Sequence, residues 1–173
     1  MLKRIGIGLV IVGAMALPVA AGAALSPSDY KNASKFCKAV KADMGAELFR
    51  QTYGTNASRS NAHGKCVSRN VHAVDRIHSN AAKQCKDERT ADPTAFDDKY
   101  GTGKKKSNAL GRCVRQAAQA LTQDRVDAVT NAAKACKAER ADDAAAFRDK
   151  YGTNHNKRNA FGKCVSQKVK STA

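Results

Sequence analysis

The stretch NAAKACKAERADDAAAFRDKYGTNHNKRNAFGKCV, residues 131–165, decides the fold because the chain contains it more than once. Residues 80–114, NAAKQCKDERTADPTAFDDKYGTGKKKSNALGRCV, match it closely. A more diverged copy, KNASKFCKAVKADMGAELFRQTYGTNASRSNAHGKCV, covers residues 31–67 and carries one extra residue before its Phe. In every copy the Tyr precedes the second Cys by thirteen residues. The chain is therefore predicted to be a tandem repeat.

The shared frame of K-x-C-K, F-x-x-x-Y-G-T and N-A-x-G-[KR]-C-V resembles a short cysteine-containing helical repeat of secreted proteins from high-GC Gram-positive bacteria. The resemblance rests on the K-Y-G-T and N-A-F-G-K-C-V elements and extends over all three copies. The first copy departs from it, with Thr52 in place of Lys and Met44 and Gly45 in the Asp-Pro region. The resemblance implies export and repetition, and it implies no particular activity.

The first 23 residues have the pattern of a secretory signal peptide. Lys3 and Arg4 precede an apolar run at residues 5–17, and residues 21–23 form an Ala-Gly-Ala cleavage site. That run is shorter than the roughly 20 residues needed to span a bilayer, so we expect cleavage and a secreted or extracytoplasmic chain without a transmembrane segment. The predicted organisation is a signal peptide at 1–23, followed by repeat units at 24–72, 73–121 and 122–173.

Each unit is predicted to be helical because Ala, Lys, Arg, Gln and Glu dominate its composition. We expect one helix with the first Cys, a short helix with Phe and Tyr on one face, and a third helix with the second Cys. Asp92 before Pro93, and Asp143 in the third unit, are expected to cap the short helices. The Gly after each Tyr is expected to end the short helix in the left-handed conformation, and the Asn after the polar loop to cap the third helix. These residues are Gly54, Gly101 and Gly152, and Asn61, Asn108 and Asn159.

The six cysteines of an exported chain favour disulfides. Neighbouring units are joined by segments without Pro or Gly, which predicts one continuous helix across each junction. Two cysteines 19 or 23 residues apart on such a helix lie roughly 28 or 34 Å apart, whereas a disulfide needs Cα atoms within about 7 Å. The within-unit pairs then remain, namely Cys37–Cys66, Cys85–Cys113 and Cys136–Cys164.

The predicted fold class is all-α, with three tandem disulfide-stapled helical units joined by long shared helices. Such local staples require no single large core. The Gly two residues before each second Cys is expected to let two helices approach for the disulfide, at Gly64, Gly111 and Gly162. No closely spaced Cys or Cys/His pair indicates a metal site, and no cofactor is expected.

Basic residues outnumber acidic ones, with 31 Lys and Arg against 15 Asp and Glu and a net charge of +16. Without Lys3 and Arg4 the net charge is +14. Basic residues recur two before and one after the first Cys and one before the second, so each unit is predicted to present a cluster and the three units a basic ladder. A ladder of this kind would bind an anionic polymer, although lysines also simply solvate Ala-rich helices. The nine predicted polyanion-binding residues are Lys35, Lys38, Lys65, Lys83, Lys86, Arg112, Lys134, Lys137 and Lys163.

Catalytic residues are not indicated, because no His recurs and paired cysteines offer no thiolate. Glu88 and Glu139 are interpreted as charges on a helix surface. We therefore predict a non-enzymatic secreted basic protein, without a small-molecule substrate, that binds anionic polymers of the cell envelope or extracellular surroundings. The alternatives are a structural or protein-interaction module and a membrane-active basic helical protein.

Overall fold

The computed structural model describes residues 32–171, and within that span the chain forms seven α-helices and no strand. The all-α architecture expected from composition is confirmed. The signal peptide expected at 1–23 lies outside the described residues.

Two of the seven helices are much longer than the others and connect the units. Helices α3 and α5 contain 30 and 34 residues and span about 45 and 51 Å, and each is shared by two neighbouring units, as predicted. Three helices of eight residues separate the longer ones. In chain order the helices are α1 (Ala33–Met44), α2 (Ala46–Tyr53), α3 (Ala62–Ala91), α4 (Pro93–Tyr100), α5 (Ala109–Asp142), α6 (Ala144–Tyr151) and α7 (Ala160–Ser171).

One disulfide staples each unit, and all three pairings match the prediction. The bridged Cα atoms lie 6.0 Å apart in Cys37–Cys66, 5.9 Å in Cys85–Cys113 and 6.1 Å in Cys136–Cys164. All six cysteines are buried. Each bridge joins the helix before a short helix to the helix after it, so the short helix is held between two stapled ends.

The short helices form where the sequence predicts them. The Asp92 carboxylate accepts a hydrogen bond from the Ala95 N–H, and the Asp143 carboxylate caps α6 in the same way. Phe96 and Tyr100 share one face, with ring centroids 4.8 Å apart. The equivalent Phe–Tyr pairs of units 1 and 3 have centroids 5.0 and 4.9 Å apart. Each short helix thus buries its Phe beneath the stapled pair of helices.

The Gly that ends each short helix does not take the left-handed conformation, so that expectation is wrong. Gly101 has φ −76°, which any residue can adopt. A Cβ on it would lie 2.5 Å from the Asp97 carbonyl oxygen and 2.5 Å from the Lys106 Cβ. The left-handed residue is Lys106 itself, at φ 46°, and Arg59 and Lys157 occupy the same position in the other units. Glycine is required here because the loop packs directly against the end of the helix.

The Asn before α3, α5 and α7 closes a loop instead of capping a helix with its side chain, which corrects a second expectation. Asn108 accepts a hydrogen bond from the Thr102 N–H at 3.0 Å and donates one to the Thr102 hydroxyl at 2.7 Å. The same two bonds join Asn61 to Thr55 and Asn159 to Thr153. The Thr after each helix-ending Gly therefore serves as the anchor of the loop.

Units 1 and 3 pack together at one end of the molecule. Helix α3 leads from unit 1 to unit 2, and α5 returns alongside α3 to unit 3, where α7 contacts α2. One continuous core includes Phe36 and Phe49 of unit 1 with Phe147 and Phe161 of unit 3. Unit 2 keeps a separate core of only four buried residues around Phe96. The expectation that local cores suffice holds for unit 2 and is wrong for units 1 and 3.

Gly162 explains part of this close packing. A Cβ on Gly162 would lie 2.8 Å from the Thr52 carbonyl oxygen at the end of α2, whereas a Cβ on Gly64 or Gly111 would meet no atom within 4 Å. This Gly is therefore not needed for the disulfide, contrary to expectation, because its equivalents in two units face open space. In unit 3, Gly162 instead lets the end of α2 from unit 1 pack directly against α7. Arg140 also joins these units, donating to the Gln51 side-chain oxygen at 2.9 Å.

Two Gly→Ala substitutions in unit 2 should have opposite effects on stability. Gly101→Ala should lower the free energy of unfolding by about 1–3 kcal/mol, because its Cβ overlaps the backbone and the Lys106 side chain. Gly111→Ala should raise it by about 0.5–1 kcal/mol, because the Cβ enters open space and Ala favours the helix. Chemical denaturation of both variants measures the difference. Equal effects would contradict the close-approach role of Gly101.

Removing one disulfide at a time should show that the two cores lose their structure independently. The chain-entropy model gives about 3.5 kcal/mol for a 28-residue loop, the same for Cys85–Cys113 and Cys136–Cys164. The variant Cys85→Ala/Cys113→Ala should lose hydrogen-exchange protection in α4 and the adjoining turns only. The variant Cys136→Ala/Cys164→Ala should lose protection in α6 and also in α1 and α2, because these helices share one core with that bridge. Identical exchange patterns would show that the cores are not separate.

Candidate functional site

The nine predicted polyanion-binding residues surround the three disulfides. Eight of them are exposed, and Lys35 is half-buried. Lys83 forms an ion pair with Asp87 at 2.8 Å, one turn away on α3. Within residues 32–171, the other eight have no acidic partner. Each disulfide is therefore flanked by cations whose charge no described acidic residue neutralises.

The unit 2 cluster, defined as Lys83, Lys86 and Arg112, shows how the staple assembles these charges. Lys83 and Lys86 are three residues apart on α3 and share a face. Lys86 and Arg112 each adjoin one end of the Cys85–Cys113 bridge, so their Cα atoms lie within about 14 Å of each other. The disulfide thus brings cations from two helices into one region of the surface.

The three clusters do not form a ladder in chain order. Because α5 folds back along α3, units 1 and 3 share one end of the molecule while unit 2 occupies the other. A linear arrangement would require each unit to continue beyond the previous one. The sequence left the angle between units undetermined, and the tertiary packing sets it.

Two glutamates on the long helices pair with lysines that do not flank a disulfide. Glu139 accepts from Lys150 at 2.7 Å and from the Tyr151 hydroxyl at 3.0 Å, and it also pairs with Lys168 at 3.2 Å. In unit 2, Glu88 binds Lys99 and the Tyr100 hydroxyl in the same way. These glutamates do lie on the helix surface, and each also ties a short helix to the long helix before it.

The loop lysines are also neutralised within the structure. Lys106 pairs with Asp98, and Lys157 pairs with Asp149 in the third unit. These two ion pairs therefore lie within the repeat unit, where they hold each loop against its short helix. The cations beside the disulfides remain available for an external anion.

Units 1 and 3 enclose a cleft of about 740 Å³ that no sequence motif indicated. The end of α2, the middle of α3, part of α5 and most of α7 line it. No Asp or Glu is among the lining residues. We call this the basic cleft, after the six cations that line it: Arg69, Arg76, Arg125, Arg158, Lys163 and Lys170.

Arg125 lies deepest among these cations. Its Nε is buried and has no hydrogen-bond partner among the described residues. Burial lowers the pKa of Arg125, and the charge of Arg76 acts in the same direction. Burial also raises the pKa of the neighbouring Tyr53, while a hydrogen bond from Asn70 and the charges of Arg125 and Arg69 act against that rise. The cleft therefore holds a partly desolvated cation with an unused donor.

Of the nine predicted residues, only Lys163 lines the basic cleft. The other five cleft cations were not predicted, because they do not recur at equivalent positions in all three units and recurrence was the criterion for the nine. A different signal was available. Arg69 and Arg76 on α3, and Lys163 and Lys170 on α7, are each seven residues apart, which places both members of a pair on one helix face.

No family model, curated protein or solved structure matches the chain. The resemblance to a secreted cysteine-containing repeat thus stays a prediction. Among residues 32–171, no group of His, Cys, Asp and Glu could hold a metal ion, and no helix is both long and apolar enough to cross a bilayer.

The Glu139 network should appear in the pH dependence of stability. Lys150, then Tyr151 and Lys168, lower the pKa of Glu139 from 4.5 to about 2. Because the unfolded chain binds this proton more readily, the stabilisation is complete above about pH 4.5 and is lost as the pH falls towards 2. Glu139→Gln should lower the free energy of unfolding by about 1 kcal/mol at pH 7.

Denaturant unfolding of wild type and Glu139→Gln between pH 2 and 6 measures this contribution. The difference between the two proteins should be constant above pH 4.5 and should vanish near pH 2. Asp75→Asn is the matched control, since the Asp75 carboxylate is exposed and takes part in no ion pair within the described chain. A difference that is independent of pH would show that the charge of Glu139 does not stabilise the fold.

Proposed function

We propose that this chain is a non-enzymatic exported protein that binds anionic polymers of the cell envelope or extracellular surroundings. The carrying observation is that eight of the nine cations flanking the disulfides have no acidic partner in residues 32–171. Unpaired cations at the surface raise the local concentration of an anionic partner. Their release of counterions on binding makes the affinity depend strongly on salt.

Export is supported by two independent features. Residues 1–23 have the pattern of a signal peptide. All six cysteines are bridged, and disulfides persist in oxidising compartments outside the cytosol. A thiolate nucleophile would need an unpaired cysteine, and all six cysteines are bridged, so the proposed role does not include cysteine-based catalysis.

The exposed surface favours a polymer over a bilayer as the partner. A helix that lies in a membrane interface needs a broad apolar face with bulky anchors. Among the described residues, Val71 is the one large hydrophobic side chain that is exposed, with 40% of its surface accessible. Attraction between this protein and an anionic surface would therefore rest on charge, without insertion.

Charge reversal of the unit 2 cluster should weaken polymer binding. Lys83→Glu/Lys86→Glu/Arg112→Glu should reduce affinity for dextran sulfate at least tenfold at 0.1 M salt. It should also flatten the plot of log K against log salt concentration by about two to three counterions, because up to three contacts are lost. Binding is measured by fluorescence titration over a series of salt concentrations.

The control reverses three other exposed cations, in Lys104→Glu/Lys105→Glu/Arg148→Glu, with the same change in net charge. It should retain most of the affinity, because these residues lie in the loop between α4 and α5 and on α6, off the helices that carry the cysteines. Equal weakening by both triple variants would show that binding follows net charge and that the disulfide-flanking clusters have no special role. Vesicle leakage by the wild type would instead support the membrane-active alternative.

A further inference from the structure

The basic cleft combines two features that point to an anionic ligand. Its six cations form no ion pair within the described part of the chain, and no carboxylate lines it. Cations gathered around one concave space repel one another, and concave surfaces focus the resulting positive potential. The buried, unpartnered Nε of Arg125 is a donor that an anion could satisfy. The cleft is therefore complementary to concentrated negative charge.

The spacing of the cations indicates how long the ligand must be. Arg69 and Arg76 lie about 10.5 Å apart along α3, and Lys163 and Lys170 lie the same distance apart along α7. Both pairs line the cleft, with Arg125 contributed by α5. A row of this length offers more donors than a single tetrahedral anion can use. A linear ligand with several charged groups could contact the whole of it.

We propose that the basic cleft binds a linear ligand segment that carries two or more phosphate groups. Four of the six cations are arginines, whose planar guanidinium groups present paired donors to phosphate oxygens. Hydroxyl and amide groups line the cleft as well, including those of Thr55, Asn154 and Gln167, and they provide neutral donors. A volume of about 740 Å³ suits a short segment and excludes a nucleic-acid duplex.

The binding site exists only because units 1 and 3 pack together. Arg69 belongs to unit 1, and Arg158 and Lys170 belong to unit 3. Arg76 and Arg125 lie on the long helices that leave unit 1 and return to unit 3. Gly162, whose missing side chain admits the Thr52 carbonyl, lines the same cleft. This site goes beyond the proposed function, because it is formed by different residues from the disulfide-flanking clusters, Lys163 excepted.

Isothermal titration with sodium tripolyphosphate at 0.15 M ionic strength tests the proposal. We expect one site per chain, with an affinity at least tenfold higher than for orthophosphate. The tetranucleotide dT4, a phosphodiester, and tripolyphosphate, a phosphoanhydride, distinguish the two sources of linear phosphate. Binding of either supports the site, and failure of both to saturate a single site would overturn it. Equal affinity for benzenehexacarboxylate would overturn the preference for phosphate.

Paired variants locate the binding. Arg76→Gln/Lys170→Gln removes one cation from each wall and should weaken tripolyphosphate binding at least tenfold. Arg89→Gln/Arg115→Gln removes the same charge from exposed positions that do not line the cleft, and it should change the affinity less than twofold. Equal weakening in both pairs would overturn the proposal. Without ligand, the cleft pair should have a Tm equal to or above that of the wild type, because repulsion is relieved.

A replacement variant and two further measurements distinguish loss of the cleft site from misfolding and from loss of polymer binding. If the first cleft pair does not fold, Arg69→Gln/Lys170→Gln replaces it. In the wild type, tripolyphosphate should increase hydrogen-exchange protection in α3 and α7 and leave α4 unchanged; unchanged α3 and α7 would overturn the site. The Lys83/Lys86/Arg112 triple variant should bind tripolyphosphate normally, so loss of polymer binding in that variant and loss of the cleft site are separate outcomes.

Discussion

The return of α5 along α3 is the constraint from which the other features of the structure follow. Both helices are continuous across a junction between units, so neither unit can turn freely relative to the next. The turn between them is made by α4 and its loop, and the packing of α5 on α3 then sets unit 3 against unit 1. The shared core and the basic cleft both form at that contact, and unit 2 is left with its own small core.

Equivalent residues of the repeat consequently have different environments. Tyr53 and Tyr151 are buried, whereas Tyr100 is only half-buried because no other unit covers unit 2. Tyr151 and Tyr100 bind a Glu on the preceding helix, while the position equivalent to that Glu in unit 1 is the buried Val40. The divergence of the first copy is thus related to its place in the shared core.

Charge is distributed according to the same division of roles. Four acids pair with lysines that hold short helices and loops in place, as Glu139 does with Lys150 and Asp98 does with Lys106. Cations beside the disulfides and in the basic cleft have almost no acidic partners in the described chain. Removing acids from these surfaces costs the fold some electrostatic stability, and the disulfides and the shared core offset that cost.

The sequence by itself determined the repeat, the helices and the three disulfides, because each depends on residues within one unit or along one unbroken helix. Helix propensity, the Asp92 cap and the thirteen residues between Tyr and Cys are local or short-range features. It did not reveal the role of Gly101 or Asn108, since a close approach and a side-chain loop bond leave no distinctive pattern in composition. Only the tertiary structure decided which units meet. That contact depends on the shape of α2 and α7 at Gly162, and it gathers Arg69, Arg125 and Lys170 from distant positions that no repeat connects.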